Sequence, residues 1–314
     1  MKKLLSAAVA LLAAASIFTG CNEKNGKIKI GAIQLIEHPA LDKSYQGFVD
    51  GLAEEGFKDG ENIVIDFQNA QGEQANCVTI ANKFVNDKDD LIFAIATPAA
   101  QAVANLTKTI PILVTAVTDP ESAKLVRTNF RPDTNVSGTS DRTPVDAQIA
   151  LLKKLKPEAK TVGLLYCSSE ANSVVQIEWA KEACRINELQ YIEGSVSNSN
   201  EIQQVTQSLV GKVDAFYVPT DNMLAAGIAN VAMVANEAKL PVICGEEGMV
   251  VSGGLATYGI NYYALGKRTA KQAARILRGE SKVSEMPIEY LEDFDFSYNK
   301  ETAEKIGITI PENL

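Results

Sequence analysis

Short apolar runs recur along this chain, and each gives way to a stretch in which apolar residues are spaced for a helix face. "KIKIGAIQLI" reads as a buried strand. In "ALDKSYQGFVDGLAEEGF", Leu41, Tyr45, Phe48, Val49 and Leu52 fall on one helical face, and Gly56 and Gly60 punctuate its end. "NIVIDFQNA" predicts a strand, "ANCVTIANKFVND" a helix and "LIFAIA" a strand. A helix from Pro98, the strand "IPILVTAV" and a helix opening at Asp119-Pro120 follow. Strands that are apolar almost throughout and alternate with helices imply a parallel sheet covered on both faces.

After "NVSGTSDRTPVDAQ" the pattern restarts. "DAQIALLKKLKP" predicts a helix, "TVGLLYC" a strand and "NSVVQIEWAKEACRINEL" a helix, and the alternation runs on through "LPVICG". "LATYGINYYALGKRTAKQAARILRGE" supplies another strand and helix, "IEYLEDFDFSYN" a late strand, and "KETAEKIGI" a last short helix. The expected fold class is therefore α/β, with two Rossmann-like lobes. Two such lobes can be linked by one crossing or by several; the candidate crossings are Ser140–Pro144, near Leu255–Tyr258 and near Pro287–Phe294. Three crossings would make a hinge about which lobes open and close. The expected lobes are residues 28–141 plus 257–287 and residues 142–256 plus 288–314.

Charge narrows the functions open to such a chain. Its 314 residues carry a formal charge of −9, with 46% hydrophobic and 6% aromatic residues. Phosphate recognition needs Lys/Arg stripes, so nucleic acid is not an expected partner. The N-terminus has the form of a secretory leader: Lys2 and Lys3, an apolar run from Leu4 to Phe18, then Thr19-Gly20-Cys21. That run is short of the ~20 residues a membrane span requires. Phe-Thr-Gly-Cys resembles a bacterial lipobox, which implies removal of residues 1–20, lipid on Cys21, and residues 21–27 as a tether. Phe18 stands where such sites usually carry Leu. Losing Lys2 and Lys3 would lower the charge to −11.

Cys77, Cys167, Cys184 and Cys244 show no CxxC spacing, and His38 is the only histidine. A zinc site needs clustered Cys and His, so neither metal nor cofactor is expected. Cys167 and Cys244 end apolar runs and read as small buried residues. Catalysis finds no footing either. The first strand is followed by one Gly and not by G-x-G-x-x-G, no G-x-S-x-G elbow is present, and a catalytic triad would have to use His38. As a loop residue before Pro39, His38 reads first as a packing or hydrogen-bonding group.

The strand ends carry the remaining chemistry. In open parallel sheets, ligands bind beyond the C-terminal ends of the strands. Thr97-Pro98, Asp119-Pro120 and Thr220-Asp221-Asn222 each stand at such an end, and Thr143-Pro144-Val145-Asp146 opens a further helix. Each can be simply a helix cap. Together they would face a gap between lobes, where helix starts offer spare N–H groups to a carboxylate. Polar residues also follow the second-half strands: Ser168 to Ser173, Asp221 and Glu246. A desolvated ligand ammonium requires a carboxylate, for which Asp221 is the first candidate and Glu246 the second. Trp179, in mid-helix, reads as packing, whereas Tyr258, Tyr262 and Tyr263 lie near a crossing.

"GAIQLIEHPALDKSYQGFVDGLAEEGF", "ATPAAQAVAN", "VTAVTDPESAKLV", "NVSGTSD" and "YVPTDNML" together resemble the ABC-transporter substrate-binding lipoproteins that bind tryptophan and related aromatic amino acids. The likeness runs from Ile28 to the C-terminus. It implies a type I periplasmic-binding-protein fold, two lobes joined by three crossings, and a ligand in the cleft. It further implies ligand contacts from Thr97, Ala99 and Gln101, and Asp119 on the cleft floor or as a cap. Ser140 would face the ligand at the first crossing, Asn172 would meet it from the second lobe, and Asp221 would hold its ammonium. Glu37, His38 and Leu41 would border the mouth. The expected protein is a non-enzymatic, lipid-anchored, extracytoplasmic receptor that delivers an amino acid to an ABC permease. A sensor for a membrane signalling partner, or a receptor for a branched-chain amino acid or a nucleoside, remains an alternative at this stage.

Overall fold

The computed structural model describes residues 26–311; the expected leader and Cys21 lie outside them. Among the described residues, no helix is long and apolar enough to cross a membrane.

The first lobe runs β1 (Ile28–Gln34), α1 (Pro39–Glu54), β2 (Ile63–Asn69), α2 (Gln74–Asp87), β3 (Leu91–Ile95), α3 (Thr97–Leu106), β4 (Ile112–Val117) and β5 (Val136–Ser140). The second continues with α4 (Val145–Leu155), β6 (Thr161–Cys167), α5 (Ala171–Ile186), β7 (Gln190–Val196), α6 (Ile202–Leu209), β8 (Ala215–Val218) and α7 (Asn222–Ala226). It then runs through α8 (Ile228–Glu237), β9 (Val242–Cys244), α9 (Glu247–Val251) and β10 (Ala256–Gly259). After these come α10 (Tyr262–Leu277), β11 (Glu289–Tyr290), β12 (Asp295–Tyr298) and α11 (Lys300–Ile306).

Two six-stranded sheets result, ordered β11-β5-β4-β3-β1-β2 and β12-β10-β9-β8-β6-β7. All pairings are parallel except β10 with β12. Every residue of β3 and β4 is buried, as expected where helices cover both faces of a sheet. In α1 the buried set is Ala40, Leu41, Ser44, Gly47, Phe48, Gly51 and Leu52, the stripe a 3.6-residue period dictates. Phe48 stacks on Phe93 with ring centroids 3.7 Å apart, fixing α1 to the sheet.

The chain crosses between the sheets three times: after β5 through Asp141–Pro144, after β10 through Ile260 and Asn261, and between β11 and β12. The second crossing differs from the expectation near Leu255–Tyr258. Those residues belong to β10, which hydrogen-bonds within the second sheet, and the chain returns to the first lobe only with α10. "IEYLEDFDFSYN" likewise divides: β11 joins the first sheet and β12 the second. Hydropathy marks these strands but cannot say which sheet they enter, because both sheets bury the same kind of residue.

The helix expected from Asp119-Pro120 is also not formed. Ala123 N donates to Asp119 O and Leu125 N to Pro120 O, so one helical turn starts. Lys124 then adopts φ +60° and ends it. The four described cysteines are buried free thiols.

Candidate functional site

The lobes meet along the strand ends. Thr118, just beyond β4, lies 3.2 Å from Thr220, just beyond β8, hydroxyl to hydroxyl. His38 Nε2 reaches Asn222 Oδ1 at 3.4 Å, and at the surface Lys43 pairs with Glu247 at 3.2 Å. Between these contacts lies a small cavity. His38, Leu41, Asp141 and Tyr262 line it from the first-lobe side, and Thr220, Asp221, Asn222, Ala225, Glu246 and Met249 from the second. Water centres can occupy about 10 Å³ of it, room for about one molecule. Admitting anything the size of an amino acid therefore requires the lobes to part.

The charge in this region has one sign. Asp141, Glu170, Asp221 and Glu246 are all buried, and no Lys or Arg is buried among the described residues. Most of these carboxylates are already committed. Asp221 caps α7, accepting from Leu224 N at 2.8 Å, and its other oxygen accepts from Cys167 N at 2.6 Å. Glu170 accepts from the Asn172 and Asn222 side chains and from Met223 N. Glu246 caps α9 through Gly248 N and Met249 N. Burial raises the pKa of Glu170, and the Asp221 charge adds to the effect; burial also raises Asp221 itself. Glu246 is pushed up to about 7 by burial, against its two amide donors.

Asp141 is different. Tyr262 donates its hydroxyl to Asp141 Oδ2 at 2.9 Å, whereas Oδ1 is buried with no partner. Burial raises this carboxyl to about 6 in spite of the Tyr262 bond and the nearby Thr118 hydroxyl. A buried oxygen left unpaired is costly and marks a place where a donor is wanted. His38 offers no compensating charge. Burial lowers its pKa to about 4, so the ring is neutral and its Nδ1 has no partner.

The start of α3 belongs to the first lobe, at the end of β3, and Thr97, Ala99, Ser140 and Asn172 are buried without lining the interlobe cavity. Thr97 is not the cap predicted for α3: Ala96 occupies that position, with φ +81° and no side-chain cap bond. The Thr97 hydroxyl is buried and unpartnered. A non-glycine residue held at such a φ stores strain and commonly marks a site. Ala99 is fully buried, and the first amides of α3 have no acceptor within the helix. Ser140 donates to Thr118 O at 2.7 Å. Asn172 donates to Glu170 and to Thr220 O, and its Oδ1 is buried and free.

Gln101 and Asp119 have other partners. Gln101 donates to Ala123 O and faces a separate cavity with Lys108 and Asn135. The Asp119 carboxylate organises its own turn, accepting from Ser122 Oγ and Asn129 Nδ2. His38, Leu41, Asp221 and Glu246 do line the interlobe cavity. Of the three tyrosines, Tyr262 reaches it, Tyr263 bonds Asp50 and Tyr258 packs on Phe296. Asp141 was not singled out in the sequence, although it directly follows Ser140 in "SGTSD". A free buried oxygen is a tertiary property, and no local signal separates this Asp from a cap.

The sequence model of the family described as "ABC transporter substrate binding protein" matches residues 29–314. The chain belongs to the ABC transporter substrate-binding protein family. This substrate-binding protein is 43% identical, over 98% of its length and 93% of the relative's, to a tyrosine-binding protein of Clostridioides difficile. Its structure superposes with a TM-score of 0.88 on a Streptococcus pneumonia ABC domain solved in complex with L-Trp, at 40% identity, covering 91% of this chain and 97% of that one. A ligand-free, open substrate-binding protein with adhesive properties from Clostridium difficile is 51% identical over the same shares of the two chains, yet gives a TM-score of 0.71. In the substrate-binding protein here the two lobes touch, through Thr118 with Thr220, His38 with Asn222 and Lys43 with Glu247. Its fold is that of type I periplasmic binding proteins.

Proposed function

We propose that this substrate-binding protein captures an L-amino acid with an aromatic side chain between its lobes and presents it to an ABC permease. The observation that carries the amino-acid reading is Asp141: a buried carboxylate at the interlobe cavity, with one oxygen unpaired and no buried cation near it. A ligand ammonium satisfies that oxygen as a charge-assisted bond. The ligand carboxylate belongs at the start of α3, against the free amides and the Thr97 hydroxyl. Asn172 adds an acceptor for the ammonium from the second lobe. Asp221, Glu170 and Glu246 hold the second-lobe corners in shape and set the sign of the field. The aromatic preference is supported by the relatives named for tyrosine and L-Trp.

Lobe closure then follows from differential affinity: a ligand held by Asp141 and Thr97 of the first lobe and by Asn172 of the second stabilises a closed form wider than the empty closure, and that form supplies the surface a permease reads. The expected setting is outside the cytoplasm, with lipid on Cys21 holding the protein to the membrane. Cys21→Ser should move it from the membrane fraction to the medium or periplasm.

Calorimetric titration of the purified protein tests the reading. L-Tyr and L-Trp should bind more tightly than L-Leu. Tyramine, which lacks the carboxylate, and N-acetyl-L-tyrosine, which lacks the ammonium, should each lose about 100-fold or more, as expected when a site's buried polar groups are left unpaired. Equal binding of N-acetyl-L-tyrosine and L-Tyr would overturn the Asp141 assignment, and no heat with any amino acid would overturn the ligand class.

A further inference from the structure

Consecutive residues of the first crossing lie on opposite sides of the hinge. Asp141 meets Tyr262 at the interlobe cavity, while Arg142 is exposed and lies over the Trp179 ring, 4.3 Å from its centroid. Beside that stack runs a separate open groove of about 610 Å³, with Arg142, Trp179 and Ile186 on one side and Tyr290, Leu291 and Phe294 on the other. This is the size of a small-molecule site, and it shares no lining residue with the interlobe cavity. Its walls leave large apolar side chains open to solvent, Ile186 at 64% and Phe294 at 42%.

The charges around the groove are unevenly matched. Glu178 pairs with Lys181, which it shares with Glu193, and Glu182 pairs with Arg185, so the α5 glutamates are partly offset by cations of their own helix. Asp146 sits in the first turn of α4, where the helix dipole favours it. Arg142 takes part in none of the ion pairs among the described residues, and its guanidinium lies over the Trp179 ring. A guanidinium held over an indole face spends no N–H on the ring's edge and retains its donors for a planar acceptor.

We propose that this groove is a second small-molecule site, for a ligand that carries one carboxylate on an apolar, ring-containing body. The carboxylate meets the edge of Arg142, and the ring lies along Trp179, Ile186 and Phe294. The site is independent of the ligand assigned to the cleft, and it is walled by segments of the first and third crossings.

Trp179 is the only tryptophan of the chain, so its fluorescence, excited at the red edge, reads the groove directly. Titration with 4-phenylbutyrate should give a saturable change, and the neutral 4-phenylbutanol should bind about tenfold more weakly. Arg142→Gln should reduce the affinity for 4-phenylbutyrate about tenfold, the loss expected for one charge-assisted pair, and should leave the alcohol unaffected. Ile186→Glu, at an exposed position, should abolish binding of both at unchanged melting temperature. A linear, unsaturable response overturns the site. Equal binding of acid and alcohol, or of acid to Arg142→Gln and the parent, overturns the ligand class. Binding that survives Ile186→Glu places the probe elsewhere and overturns the location.

Discussion

Tyr262 and Asp141, joined hydroxyl to carboxylate at 2.9 Å, connect the second crossing to the first. Asp141 leaves β5 at the first crossing, and Tyr262 opens α10 just after the second. The bond therefore lies where the chain segments that carry the hinge converge, and the other oxygen of Asp141, a residue that lines the cavity, is buried and unpaired.

Asp141→Asn should separate stability from binding. Burial raises the carboxyl from its ordinary value to about 6, so the folded protein disfavours the ionised form. That penalty is absent below the unfolded pKa of about 4 and complete above about 6. The isosteric amide keeps an acceptor for Tyr262 and removes the charge. Thermal melts should show Asp141→Asn more stable by about 3 kcal/mol at pH 8 and little changed at pH 4, while calorimetry shows amino-acid affinity reduced about 100-fold. Equal stabilisation at both pH values would place the effect outside this ionisation.

Affinity should also depend on pH with a definite sign. An ammonium ligand needs Asp141 ionised, so in the unliganded protein binding weakens as pH falls through about 6, towards tenfold per unit. Glu246, raised to about 7, faces the same cavity and extends the decline upward. His38, with its pKa about 4, stays neutral over this range. Titrations at pH 5, 6, 7 and 8 measure the slope, and affinity that rises on acidification would contradict it.

Thr97→Val should weaken binding with no loss of stability. The Thr97 hydroxyl is buried and makes no hydrogen bond, so an isosteric methyl group removes an unsatisfied polar atom and is neutral or stabilising to the fold. Amino-acid affinity should fall about tenfold, the value of one hydrogen bond to a charged carboxylate. A melt lowered by several degrees would show that the hydroxyl has a structural partner.

Asp221→Asn should behave in the opposite way. Both Asp221 oxygens accept backbone N–H groups, from Leu224 and Cys167. An amide nitrogen in either place confronts a donor with a donor. A loss of about 2 kcal/mol is expected at neutral pH, visible in denaturant melts. The effect on the ligand should be smaller than that of Asp141→Asn.

Gly47→Ala should be severely destabilising without touching the cleft. A Cβ on Gly47 would collide with the Tyr263 carbonyl oxygen, and one on Gly266 with that of Ser44. Glycine at these contacts lets α1 and α10 approach backbone to backbone, and so holds the returning chain onto the first lobe. A loss of about 3 kcal/mol, read by denaturant titration, is expected for either alanine. A neutral result would show that the helices can separate freely.

Much of the architecture was legible in the sequence. Fully apolar β3 and β4 and the one-sided stripe of α1 require a covered parallel sheet, and the family motifs led to two lobes with three crossings. What local pattern could not resolve is partnership. Tyr258 and Tyr262 are four residues apart, yet one packs in the second lobe and the other lines the cavity. Gln101 shares α3 with Thr97, yet it bonds Ala123 O beside a separate cavity. Asp221 and Asp141 are both acidic residues beside a strand end, and only their neighbours in space show that one is saturated and the other is not.

By itself, then, the sequence determined the two-lobed α/β frame and its acidic balance, because hydrophobic period and composition are properties of consecutive residues. The tertiary structure alone decided that the second crossing falls at Ile260 and Asn261, that Thr97 is free and not a cap, and that Asp141 carries the unpaired oxygen. Each of these depends on groups distant along the chain that compete for the same few hydrogen-bond donors.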